Sequence, residues 1–191
     1  MDALDPRKTA LVLIDLQKGI LGFAKAPYDS AQVLAAAGAL AQRFRALGAA
    51  VVLVRVGWSA GFADYPAQPV DQPAPLPPGG LPADWLDFPA ELPPSPGDIL
   101  IVKRQWSAFY GTELDLQLRR RGIETIVLGG VVTGIGVEST ARAAWEHGYA
   151  VVLAEDACSA PNGDHHRFSM ATIMPRIARV RPTAAVLAAL G

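Results

Sequence analysis

The chain has 191 residues, enough for one domain with a sizeable buried core. Of these, 51% are hydrophobic and 18% charged, the balance of a soluble globular protein. A formal net charge of -1 argues against nucleic acid as a partner, no run approaches the roughly 20 apolar residues of a membrane helix, and a single cysteine, Cys158, excludes an internal disulfide framework and a thiolate-rich zinc site.

The chain opens with Met1–Lys8, acidic first and without the apolar segment of a signal peptide, so a cytoplasmic location is expected. Apolar β-branched runs then alternate with longer helical patterns, the signature of βαβ units and a parallel sheet. The first strand is expected over Thr9–Asp15, followed by a loop and a helix from about Ser30 to Leu47 that Gly48 ends. Ala50–Val56 reads as the second strand. From Gly57 to Gly97 this rhythm stops: the stretch holds eleven of the sixteen prolines, with Trp58, Phe62, Tyr65, Trp85 and Phe88 interspersed. Proline continues neither a ladder nor a helix, and disordered linkers are rarely so aromatic. This Pro-rich insertion at about 57–97 reads as an ordered loop that lids a pocket or meets a neighbouring subunit.

Ile99–Lys103 is the third strand. A helix over Thr112–Arg121 carries Leu114 and Leu118 at helical spacing and is closed by Gly122. The only basic run, Arg119 to Arg121, falls at its end, where cations complement the helix dipole. Thr125–Val131 forms the fourth strand and leads into a helix from about Ile135 to His147, on which Glu138 and Arg142 have the i,i+4 spacing of a surface pair. The fifth strand is Ala150–Glu155. A helical region from Asp164, a short strand near Ala178–Val180 and a helix from Pro182 complete a single domain over 1–191 without an internal repeat.

Open parallel sheets bind ligands beyond the carboxyl ends of their strands. That rule selects Asp15 after strand one, Lys103 after strand three, the Gly129–Gly136 loop after strand four, and Glu155 and Asp156 after strand five. A carboxylate directly after the apolar run Ala10–Ile14 is partly desolvated, which raises its pKa, and a nearby ammonium lowers it again. Such a pair serves proton transfer, or else simply caps the sheet. The glycines of the loop free backbone N–H groups at a helix N-terminus, where an anion or oxyanion can be held, or they merely permit a tight turn.

Here the residues resemble a known family. LVLIDLQ at Leu11–Gln17, VKRQWSAFYGTELDLQLRRRGIETIVLGG at Val102–Gly130, VVTGIGVESTARAAWEHG at Val131–Gly148 and AVVLAEDACSA at Ala150–Ala160 are together similar to the isochorismatase-like hydrolases, the cysteine hydrolase superfamily. The resemblance covers nearly the whole chain apart from the Pro-rich insertion. It implies a Rossmann-like three-layer αβα sandwich with a six-stranded parallel sheet, and a homo-oligomer whose pocket a neighbour partly closes. It also implies a non-proline cis peptide at Val131–Val132. In the cysteine branch an aspartate, a lysine and a cysteine hydrolyse amides and related C–N bonds; by position these are Asp15, Lys103 and residue 136. That residue is Gly136, so thiolate attack is excluded.

Family members that cleave a vinyl ether work without the cysteine, using the aspartate as general acid and water as the eventual nucleophile. The resemblance therefore implies a small-molecule hydrolase with Asp15 in acid/base catalysis and Lys103 tuning it; Gln17, Val132 and Thr133 are expected about the substrate, as are Trp58, Trp106, Phe109 and Tyr110, which flank the pocket and suit a planar or apolar ligand. The loop here reads Val-Val-Thr-Gly-Ile-Gly where isochorismatases read Tyr-Ala-His-Ile-Gly, a departure that bears on isochorismate as substrate. No cofactor is expected. No metal is expected either, because Val56–Gly61 lacks the histidine that nicotinamidases of the family use. The alternative is a catalytically inactive member that binds a small molecule or serves as an oligomeric scaffold.

The remaining candidates are weaker. Cys158 reads as a buried small hydrophobe. His165 and His166 are adjacent and so point apart, which is poor metal geometry, and they read as structural or exposed. Gly134-x-Gly136-x-x-Ser139 faintly echoes a dinucleotide fingerprint but lacks its third glycine and follows the fourth strand. The aromatic residues have a second reading, as core or interface packing.

Overall fold

The computed structural model describes residues 2–191. Six strands, β1 (Thr9–Ile14), β2 (Ala50–Val56), β3 (Ile99–Lys103), β4 (Thr125–Val131), β5 (Ala150–Ser159) and β6 (Arg179–Arg181), form one sheet in the order β3-β2-β1-β4-β5-β6. Every neighbouring pair is parallel. The helices are α1 (Lys18–Leu21), α2 (Ser30–Ala46), α3 (Leu114–Arg120), α4 (Glu138–Glu146), α5 (Gly163–Phe168) and α6 (Thr183–Ala189).

Strand β1 is buried along its whole length, and its alternate residues serve two cores. Ala10, Val12 and Ile14 share one with Leu114 and Leu118 of α3 and Ala141 and Ala144 of α4. Leu11 and Leu13 share the other with Val33, Leu40 and Phe44 of α2 and Val186 of α6. Helices thus cover both faces, which makes the molecule the expected three-layer αβα sandwich. At the start of α2, Asp29 accepts from the Gln32 amide while the Gln32 side chain accepts from the Asp29 amide, a reciprocal cap worth about 1 kcal/mol.

The strand order reverses at β1, which has β2 on one side and β4 on the other. Loops leaving β1 and β4 therefore diverge to opposite faces and open a crevice between them. The two strands approach closely there, with Ile14 opposite Gly130. Gly130 has φ 133°, and a Cβ at this position would collide with the Ile14 carbonyl oxygen and lie 2.7 Å from its nitrogen. Only glycine permits that approach.

The expected helix over Thr112–Arg121 is shorter, Leu114–Arg120, and other ends shift by a residue; three further departures have a visible cause. β1 stops at Ile14 because Asp15 turns out of the sheet with φ 54°. The helix expected from Ile135 begins at Glu138, preceded by a π-helical turn over Thr133–Val137. β5 continues past Glu155 to Ser159: its pairing with β4 breaks after Leu128–Leu153 and resumes at Gly130–Cys158, so the residues between bulge out. Bulges and π-turns insert residues without changing hydrophobic period, and the pattern cannot show them.

Among the described residues, 57–98 hold one short 3₁₀ turn, Ala60–Phe62, in otherwise irregular backbone. The segment is fastened to the sheet edge. Trp85 Nε1 donates to the Val56 carbonyl at 2.8 Å, and Arg55 donates to the Leu86 carbonyl at 3.0 Å.

Candidate active site

Three chain segments meet at the carboxyl edge beside the reversal. Asp15 follows β1, Lys103 ends β3, and Gly136 lies in the turn after β4. Lys103 Nζ donates to Asp15 Oδ2 at 2.7 Å and to the Gln105 carbonyl at 3.1 Å. Both side chains are buried, Asp15 being 5% and Lys103 2% exposed. A Cβ built on Gly136 would lie 3.2 Å from Asp15 Oδ2 and 3.5 Å from Lys103 Nζ. A side chain at position 136 would thus stand against the ion pair, with the Ile14 methyl 3.0 Å from its Cβ.

The electrostatics are uneven. Burial pushes the Asp15 carboxyl up to about 6, and the Lys103 charge and hydrogen bond pull it only partly back. Asp15 Oδ2 is held by Lys103, while the buried Oδ1 has no hydrogen-bond partner among the described residues. The residue also sits in the left-handed region, uncommon outside glycine though less so for aspartate. A near-neutral carboxyl with one unpartnered oxygen can exchange a proton with a bound molecule.

The turn carrying Gly136 is assembled from side chains distant in sequence. The Val131–Val132 peptide bond is cis. The Val132 carbonyl accepts from the amides of Ile135 at 3.0 Å and Val137 at 3.3 Å, which shapes the π-turn. Thr140 Oγ1 donates to the Gly136 carbonyl at 2.7 Å and accepts from the Ala108 amide at 3.0 Å, linking this turn to the segment after β3. Thr133, fully buried, shares a 2.9 Å hydrogen bond with His166 Nδ1.

The other expected substrate residues are placed variously. Gln17 uses its whole amide internally: its NH₂ donates to the Val56 and Trp85 carbonyls at 3.0 and 2.8 Å, and its oxygen accepts from the Val56 amide at 2.6 Å. It fastens the Pro-rich segment. Phe109 stacks on His147 at 5.0 Å and lies against Tyr149, as part of the core under α3 and α4. Trp58 donates to the Arg104 carbonyl at 2.9 Å and packs on Tyr65 within the Pro-rich segment. Trp106 and Tyr110 are exposed, on the segment that Lys103 and Thr140 anchor.

Cys158 is buried, burial pushes its thiol up to about 12, and its sulfur donates to the Ala154 carbonyl. Glu138 and Arg142 do pair, at 2.9 Å. Asp156 caps α6 by accepting from both the amide and the hydroxyl of Thr183 at 2.7 Å. The roles of Thr140, His166 and Asp156 escaped sequence reasoning because their partners lie on other elements. Among the described residues, no group of three or more His, Cys, Asp and Glu could hold a metal ion.

Layering and strand order define an open, doubly wound α/β protein with its ionisable cluster at the switch point. More narrowly, the chain belongs to the isochorismatase family of hydrolases: the family model described as Isochorismatase domain matches residues 9–185. It is 57% identical over 187 residues to the uncharacterized isochorismatase family protein YecD of Escherichia coli O157:H7, covering 98% of each chain. The solved structure of an isochorismatase family protein from Burkholderia thailandensis superposes with a TM-score of 0.93 at 41% identity, covering 100% of this chain and 98% of that one. A ureidoacrylate amidohydrolase, RutB of Variovorax paradoxus, is 31% identical over 180 residues, covering 81% of this chain and 70% of that protein.

Proposed function

We propose that this chain is a small-molecule hydrolase that works without a cysteine nucleophile, with Asp15 as general acid/base. The observation that carries this reading is the buried Asp15 carboxyl, pushed up to about 6, with Oδ1 unpartnered and Oδ2 on Lys103. A carboxyl in that range gives and takes protons near neutrality. Asp15 donates its proton to the reacting carbon or leaving group, and water attacks the activated centre. Asp15, now the carboxylate, takes the proton that the attacking water sheds. Lys103 stabilises the carboxylate form, and backbone N–H groups around Val132 and Gly136 form a pocket for an anionic group of the substrate.

Gly136 separates this chemistry from the thiolate route. An amide of the kind named for RutB calls for a strong nucleophile, whereas a vinyl ether is activated by protonation at carbon; the latter suits the groups present here. Trp106 and Tyr110 offer flat exposed faces beside the site for substrate or for a second copy of the chain.

The test is a panel of amides, esters and enol ethers assayed with the parent and with Asp15→Ala. Turnover that requires Asp15 and is fastest for enol ethers is expected. No Asp15-dependent turnover of any substrate sinks the enzyme reading and leaves a non-catalytic binding or scaffold protein.

A further inference from the structure

The geometry points to His166 and Glu155 as positioning residues that hold the Thr133–Val137 turn, and with it Gly136, against Asp15. The inference rests on the reading of that turn and Asp15 as the reaction site.

Thr133, Gly136 and Val137 are buried, Val137 within the core, while the other face of the turn is open. A Cβ on Gly134 would meet nothing within 4 Å, and Ile135 is 41% exposed. Besides that packing, side-chain hydrogen bonds grip the turn's two ends. Thr140 grips the Gly136 carbonyl, as described above. At the other end Thr133 is gripped by His166, a buried side chain on α5, 33 positions further along the chain.

His166 is itself oriented by a carboxylate. Its Nε2 lies 3.3 Å from Glu155 Oε1, in the β5 bulge, and the Tyr28 hydroxyl donates to both Glu155 oxygens at 3.4 Å. A carboxylate only accepts, so Nε2 carries the imidazole proton and Nδ1 is left to accept from the Thr133 hydroxyl. Burial holds the His166 pKa below its usual value, which keeps the ring neutral and the tautomer defined. The order carboxylate, imidazole, hydroxyl spans three elements and ends on the residue that starts the turn.

The outer end of this chain of bonds is reachable. Glu155 and His166 line a cleft of about 360 Å³ with Pro27, Met170 and Val180, whose walls do not include Asp15, Lys103 or Gly136. The positioning residues thus act on the turn through Thr133, without a hydrogen bond of their own to Asp15 or Lys103 among the described residues.

Nitrogen-15 NMR of histidine-labelled protein tests the arrangement directly. A neutral, Nε2-protonated His166 whose Nδ1 resonance moves toward the unbonded value in Thr133→Val, and returns in Thr133→Ser, is expected. In Thr133→Val and His166→Leu, amides of Gly134 to Val137 should exchange about tenfold faster or more, with β1 and α2 unchanged. The Asp15 carboxyl titration should shift in both variants and recover in Thr133→Ser. If His166→Leu does not fold, the nearly isosteric Thr133→Val retains every readout. An Nδ1-protonated or charged His166 in the parent, or turn exchange and Asp15 titration unmoved by Thr133→Val, overturns the inference. None of these readouts needs turnover, so an inactive substrate panel refutes the hydrolase reading alone.

Discussion

Replacing Lys103 by methionine strips Asp15 of its ion-pair partner while keeping the volume of the side chain. In the parent, Asp15 is raised from 3.8 to about 6 on folding, so the folded chain binds this proton more tightly than the unfolded chain. By linkage that contribution to stability is complete below pH 3.8 and is lost by the time pH has risen through about 6, amounting to about 3 kcal/mol. Lys103→Met removes the two influences that lower the Asp15 pKa, its charge and its hydrogen bond, so the loss extends to higher pH and grows. Leaving a buried carboxylate uncompensated costs about 3–5 kcal/mol. The expected result is a variant close to the parent at pH 5 and about 3–5 kcal/mol less stable at pH 8. Asp15→Asn combined with Lys103→Met removes both charges, and a buried pair replaced in this way is commonly neutral or stabilising by about 1–4 kcal/mol. Urea unfolding at the two pH values, with midpoints and slopes compared, measures all three proteins. A single variant as stable as the parent at pH 8, or a double variant as unstable as the single one, refutes the account of a buried pair kept at a cost to stability.

Three further outcomes follow from the geometry. Gly130→Ala should lose about 3 kcal/mol or fail to fold, because its Cβ meets the Ile14 backbone at φ 133°, whereas Gly134→Ala in open space should be neutral or gain up to about 1 kcal/mol; thermal melts of the two, compared with the parent, decide it. Gly136→Cys should fold with a modest loss of about 1 kcal/mol, since its Cβ comes within 3.0 Å of Ile14 Cγ2 and that methyl must give way. Its thiol, beside Lys103, should alkylate with iodoacetamide near neutral pH, with Cys158 left unlabelled in the folded protein; equal labelling of both contradicts the site geometry. Gln17→Leu removes three hydrogen bonds, two of them buried, and leaves the Val56 amide without this partner, so a loss of about 2–4 kcal/mol and early proteolytic cutting within 57–98 are expected, and an uncut, fully stable variant contradicts the fastening role.

Much of this molecule is determined by local pattern. Runs such as Leu11–Ile14 and Ile126–Leu128 are apolar without interruption, and only a parallel sheet covered on both faces buries such strands. The strand ends then mark Asp15 and Lys103 as candidates, and the family resemblance singles out position 136, where the sequence has glycine, with no tertiary information needed. What pattern could not determine are relations between elements. Nothing local to Gln17 shows that its amide ties β2 to Trp85. The β5 bulge depends on register against β4, and the π-turn on hydrogen bonds to Val132, neither of which alters hydrophobic spacing. Asp15 could be chosen as the acid from its place after an apolar run. That its carboxyl is pushed up to about 6, despite a lysine at 2.7 Å, was decided by burial and approach in three dimensions, because desolvation and Coulomb energy depend on distances that the order of residues does not contain.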